Sequence, residues 1–96
     1  MLQSFRHKAL KRLFESGDRR GVPPQFAAKI ELVLDALDAA TSLDDLNQPG
    51  FGLHPLTGNR KGEWAIVITR NWRITFEPLQ AEGEFHAGNA DYEDYH

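Results

Sequence analysis

The chain has 96 residues, 41% of them hydrophobic and 26% charged, with 11 Lys and Arg against 14 Asp and Glu for a formal charge of −3. That size and composition predict one small globular domain spanning 1–96 around a single core. The longest uncharged apolar stretch, residues 64–69, falls far short of the roughly 20 needed to cross a bilayer. The absence of cysteine excludes a disulfide scaffold, zinc–thiolate sites and thiol nucleophiles, so any chemistry rests on His, Asp, Glu, Lys, Arg, Tyr, Ser or Thr.

The N-terminus carries charge among its apolar residues and lacks a secretory leader's apolar run and cleavage site, which predicts a cytoplasmic protein. Phe5, Ala9, Leu10, Leu13 and Phe14 recur at helical spacing, with Arg6, Lys8, Lys11 and Arg12 between them. The pattern predicts a basic amphipathic helix capped by Ser4 and ended by Gly17. Residues 19–22 read as a linker. Pro23 and Pro24 suit a first helical turn, and Phe26, Ile30, Val33, Leu34 and Leu37 trace the apolar stripe of a second helix reaching Ala40. Thr41 and Ser42, followed by Asp44 and Asp45, predict one more short turn before Pro49, Gly50 and Gly52 end helical structure.

From Gly52 the period changes to two. Residues 53–56, 63–68 and 72–77 read as three antiparallel strands, with turns at 57–62 and 69–71, a loop over 78–83 and a last strand over 91–96. Alternation puts Trp64, Ile66 and Ile68 on one face, and Trp72, Ile74 and Phe76 opposite Arg73, Thr75 and Glu77. The chain therefore reads as an α+β fold, two N-terminal helices packed on a twisted antiparallel sheet.

Charge is segregated along the chain. Residues 1–30 carry a net +5, residues 31–50 a net −5, residues 51–76 a net +3 and residues 77–96 a net −6. Arg60, Lys61, Arg70 and Arg73 lie close enough in sequence to neutralise a nucleic-acid backbone locally, although segment charge is more often a solvated face. No phosphate-binding loop, dinucleotide fingerprint or HExxH is present, and His7, His54, His86 and His96 lack metal-ligand spacing, so no metal and no cofactor are implied. Histidine can exchange protons near neutrality, and antiparallel pairing offers a route to bring His54, Arg73 and the chain end together. Arg73 could equally serve as a salt-bridge partner of Glu77 or Asp94.

Five blocks in order resemble the HigB toxins of bacterial toxin–antitoxin systems, within the RelE/ParE superfamily. They are Ser4-Phe5-Arg6-His7-Lys8-x-Leu10-Lys11-Arg12, residues 34–41, His54-Pro55-Leu56-x-Gly58-x-Arg60-Lys61-Gly62-x-Trp64, Asn71-Trp72-Arg73-Ile74-Thr75-Phe76 and Asp91-Tyr92-Glu93-Asp94-Tyr95-His96. The resemblance implies a RelE-like fold with residues 2–4 as an extra edge strand. It implies a ribosome-dependent endoribonuclease that cuts messenger RNA in the A site of the 70S ribosome and inhibits translation. Its partner would be a HigA-like helix-turn-helix antitoxin, through which alone operator DNA would be reached; no membrane partner is implied. It places catalysis on His54, Arg73, Asp94, Tyr95 and His96, and RNA contact on Arg60, Lys61 and Arg70. Relatives often carry lysine between Leu56 and Gly58, where this chain has Thr57.

Cutting RNA without metal needs a base for the 2′-OH, a cation for the phosphorane and an acid for the departing 5′ oxygen, and these residue types supply all three. The expected roles are His96 or Asp94 as base, Arg73 aided by Lys61 as cation, His54 as acid, and Tyr95 against a base. Two other readings remain open: a ParE-like gyrase-directed toxin, and a non-catalytic relative that binds RNA or a partner.

Overall fold

The computed structural model describes residues 1–94. Two helices precede a four-stranded antiparallel sheet in the order β1-β2-β3-β4, formed by His54–Pro55, Trp64–Val67, Trp72–Ala81 and Glu84–Asp94.

Helix α1 spans Lys8–Ser16 and buries Ala9, Leu10 and Leu13. It ends where expected, at Gly17, whose φ of 73° lets its N–H turn back to the Leu13 carbonyl at 2.9 Å. Its start differs from expectation: Ser4 does not cap it and Phe5 is outside it. The outer edge of β4 takes that segment, with parallel bridges Leu2 to Ala87 and Phe5 to Ala90. The Gln3 and Arg6 amides reach the Ala87 and Ala90 carbonyls at 2.8 Å each. An unpaired strand edge leaves donors and acceptors unsatisfied, and meeting them outweighs three more residues of helix. The extra edge strand implied by the resemblance is present in this form.

A 3-10 turn at Pro24–Phe26 leads into α2, Ala27–Ala39, which buries Ala27, Ile30, Val33, Leu34 and Leu37. The short turn after it, Leu43–Leu46, is capped by Ser42, whose hydroxyl accepts from the Asp45 amide. The helices share one apolar cluster with Ile66, Ile68, Ile74, Phe76, Ala87 and Ala90 from the sheet.

The segment 78–83 is not a loop. Strand β3 continues to Ala81 and β4 begins at Glu84, so the turn is only Glu82 and Gly83, with φ of 55° and 78° as a two-residue hairpin requires. Pro78 does not break the ladder, because β2 begins at Trp64 opposite Phe76 and pairs no residue of β3 beyond it. The missing donor of Pro78 then faces an empty side.

Between Thr75 and Glu77 the β3–β4 register shifts: Glu77 pairs with Gly88, but Thr75 with Asp91, so β4 carries one extra residue. Asn89, at φ 54°, occupies this bulge. Its amide donates to the Ser4 hydroxyl at 2.8 Å and its side-chain amide to the Glu77 carboxylate. Side chains alternate along a strand, so one extra residue decides which face the end of β4 presents to Arg73.

Candidate active site

The face of the sheet turned away from the apolar cluster is defined by register. His54 lies opposite Ala65, Ala65 opposite Thr75, and Thr75 opposite Asp91. One pair of residues along, Val67 lies opposite Arg73 and Arg73 opposite Glu93. Directly paired residues share a face, so His54, Arg73 and Glu93 stand on one surface. His54 and Arg73 are two strands apart, roughly 10 Å in the hydrogen-bonding direction.

The approach to β1 holds His54. Phe51 accepts from the Val67 amide at 2.7 Å, and Gly52 has a φ of 57°. A Cβ at position 52 would meet the Val67 side chain at 2.9 Å, so only glycine lets the chain pass this close to β2. The Gly52 carbonyl then lies 2.8 Å from His54 Nδ1. A carbonyl only accepts, so Nδ1 carries the hydrogen, and Nε2 is the nitrogen that takes up or gives a proton.

Glu93 is the hub of the face. Its Oε1 accepts from Arg60 Nη1 at 2.6 Å and Arg73 Nη2 at 3.4 Å, and its Oε2 from Arg60 Nη2 at 2.6 Å and the Thr75 hydroxyl at 2.8 Å. These donors, the Arg60 fork foremost, hold the Glu93 carboxyl at about 2, against an ordinary 4.5. Arg60 also reaches Glu63, through Nε at 3.2 Å and Nη2 at 2.9 Å, and Arg6 approaches Glu63 at 3.8 Å. Arg60 in turn holds Glu63 below the usual carboxylate range, while Glu93 and Glu63 push the Arg60 guanidinium up. Thr75 is fully buried beneath this network.

Of the residues singled out from the sequence, His54 and Arg73 are thus brought to one face. Arg73 pairs with Glu93 rather than with Glu77 or Asp94. The register pairs Asp94 with Trp72, on the opposite face of β4 from Glu93. Lys61 and Arg70 are exposed, one in the turn after Gly58–Arg60, the other in the β2–β3 turn. Arg60, expected to contact RNA, has its guanidinium between two carboxylates. Tyr95 and His96 lie outside the described residues. Glu93 is not among the site residues expected from the sequence; the signal for it was the alternation that puts it on one face of the last strand with Asp91, away from Tyr92 and Asp94.

Residues 3–96 match a family model described as the RelE-like toxin of type II toxin–antitoxin system HigB. The chain belongs to the HigB-like toxin family. It is 45% identical over 96 residues to the Endoribonuclease HigB of Proteus vulgaris, covering all of both chains. Among solved structures, this HigB-like fold is similar to a YoeB/ParE toxin from Agrobacterium tumefaciens, with a TM-score of 0.63 at 14% identity over all of both chains. It is also similar to a chain of a YoeB–YefM complex from Staphylococcus aureus, with a TM-score of 0.57 at 14% identity, covering 100% of this chain and 98% of that one. At that identity the likeness speaks for the α+β fold alone.

Proposed function

We propose that this HigB-like toxin is an endoribonuclease that cuts messenger RNA on the ribosome without metal and so inhibits translation. The observation that carries the reading is the register that sets His54 and Arg73 on one face, beside the strand that leads into the Asp94-Tyr95-His96 tail. The full-length relative named as an endoribonuclease supports it.

In the proposed reaction His96, at the end of the tail, is the base that removes the proton of a ribose 2′-OH, since the register turns Asp94 to the face opposite His54 and Arg73. The oxygen attacks the adjacent phosphorus, and the bond to the 5′ oxygen breaks. His54 protonates that oxygen through Nε2, leaving a 2′,3′-cyclic phosphate and a 5′-OH. Arg73 binds the phosphorane oxygens, and Tyr95 packs against a displaced base. Lys61 and Arg70 hold flanking phosphates. The ribosome supplies the in-line geometry that a small open face cannot impose on a flexible strand, so naked RNA is cut poorly. A HigA-like helix-turn-helix antitoxin neutralises the toxin and carries it to operator DNA, and the protein acts in the cytoplasm as one domain.

Primer extension on messages translated in a reconstituted system tests this. The wild type should create new 5′ ends in codons held at the A site, and His54→Ala should lower the rate by about 10²–10⁴-fold while remaining folded. No new ends from the wild type, or inhibition of gyrase supercoiling in their place, would overturn the reading.

A further inference from the structure

Arg60 has the position expected of a phosphate ligand but not the bonding of one. Four of its five N–H donors are directed to Glu63 and Glu93. A phosphate approaching it would have to displace a carboxylate from donors already engaged. Glu93, for its part, has four donors on two oxygens, two from Arg60 and one each from Arg73 and Thr75, which fills a carboxylate's acceptor sites. Its depressed pKa also makes it too weak a base to take a proton from ribose.

What the pair does is mechanical. Arg60 sits in the Gly58–Arg60 turn that carries Lys61 next to it, and Glu93 immediately precedes the Asp94-Tyr95-His96 tail. The bidentate fork spans 33 residues of sequence and ties these two segments across the sheet face. The same carboxylate orients the Arg73 guanidinium from the adjacent strand.

We propose that Arg60 and Glu93 are positioning residues of the nuclease site: their paired side chains fasten the 58–62 turn to β4, fix the start of the tail and orient Arg73, and neither touches RNA. The inference rests on the nuclease reading above.

The test is single-turnover cleavage of ribosome-bound message by Arg60→Met, Arg60→Lys, Glu93→Gln and the Arg60→Met/Glu93→Gln double variant. Each is accompanied by its Tm and by its affinity for a 2′-O-methyl RNA across a salt series. A positioning pair predicts a 10- to 100-fold slower step at saturating ribosome for all three single variants, with half-saturation and salt slope unchanged. Lysine should fail to rescue, because it keeps the charge but cannot span two oxygens. The double variant should be no worse than the poorer single one, since either change alone undoes the pair.

Four results would overturn the inference. They are wild-type rates in every variant; rescue by Arg60→Lys together with a shallower salt slope in Arg60→Met, which makes Arg60 a phosphate ligand; a loss of Tm with the step intact well below it, which makes the pair merely structural; and additive losses in the double variant. Should Arg60→Met fail to fold, Arg60→Lys and the near-isosteric Glu93→Gln still decide the question. A wild type that does not cut removes the nuclease reading and this inference together, whereas a cutting wild type with unaffected variants removes the inference alone.

Discussion

At residue 52 the backbone conformation and the packing make the same demand. A side chain there has to adopt a φ of 57° and clear the Val67 side chain at 2.9 Å. Gly52→Ala should therefore cost about 1–3 kcal/mol and displace the carbonyl that sets the His54 tautomer. The expected outcome is a modest fall in Tm with a larger fall in cleavage rate; equal wild-type values in both would show that the segment adapts freely. Glu93 is a second case, with consequences for pH. Its folded pKa of about 2 lies below the ordinary 4.5, so its contribution to stability is complete above the unfolded value and is lost as pH falls through the folded one. Charged hydrogen bonds of this kind are each worth about 1.5–3 kcal/mol. Glu93→Gln should accordingly lower Tm at pH 7, and its deficit relative to wild type should shrink between about pH 5 and pH 2. A deficit constant across that range would mean that the carboxylate charge is not what matters.

The elements carry a different kind of information, that of register. Asn89 is the residue on which the orientation of the end of β4 turns, because it adds one position to a strand whose partner has none to match. Asparagine tolerates its φ of 54° better than a β-branched residue does, and its amide is held by Ser4 of the N-terminal segment. Asn89→Gly should be tolerated, whereas Asn89→Val should cost about 1–3 kcal/mol. Deleting Asn89 should be worse than either. Deletion closes the ladder with Phe76 opposite Ala90 and Arg73 still opposite Glu93, but it removes the extra bend and twist of the bulge and the Asn89 bonds to Ser4 and Glu77, so cleavage should fall even where circular dichroism still reports a folded chain. Retained cleavage in the deletion variant would show that the bulge does not aim the tail.

How much of this was legible follows from the range over which each interaction acts. The α2 stripe, the Gly17 and Ser42 caps and the alternation around Ile74 and Phe76 are local and could be read directly. So could the shared face of His54 and Arg73, once antiparallel order was assumed. The departure of residues 5–7 from helical structure could not, because the Ala90 carbonyl that claims the Arg6 and His7 amides lies more than 80 residues away. Nor could the bulge or the Arg60–Glu93 fork, each of which depends on a strand pairing that no local pattern specifies.

For the whole molecule, the net charge of −3 conceals where the charges go. The acidic Glu93 of β4 is neutralised within the sheet face by Arg60 and Arg73, and Arg19, in the linker after α1, pairs with Glu31 of α2. The exposed Lys61 and Arg70 lie in the turns on either side of β2. Binding to polyanions should follow that local potential rather than the average. A 2′-O-methyl RNA of about a dozen nucleotides should bind the toxin at low salt despite its acidic pI of 5.7. Its affinity should fall with added salt, with a slope of about 0.7 per phosphate neutralised on a log–log plot. Lys61→Met and Arg70→Met should each make that slope shallower by about 0.7, and Arg60→Met should leave it unchanged. A slope indifferent to Lys61 and Arg70 would place the RNA elsewhere, with the basic face of α1 the next surface to test.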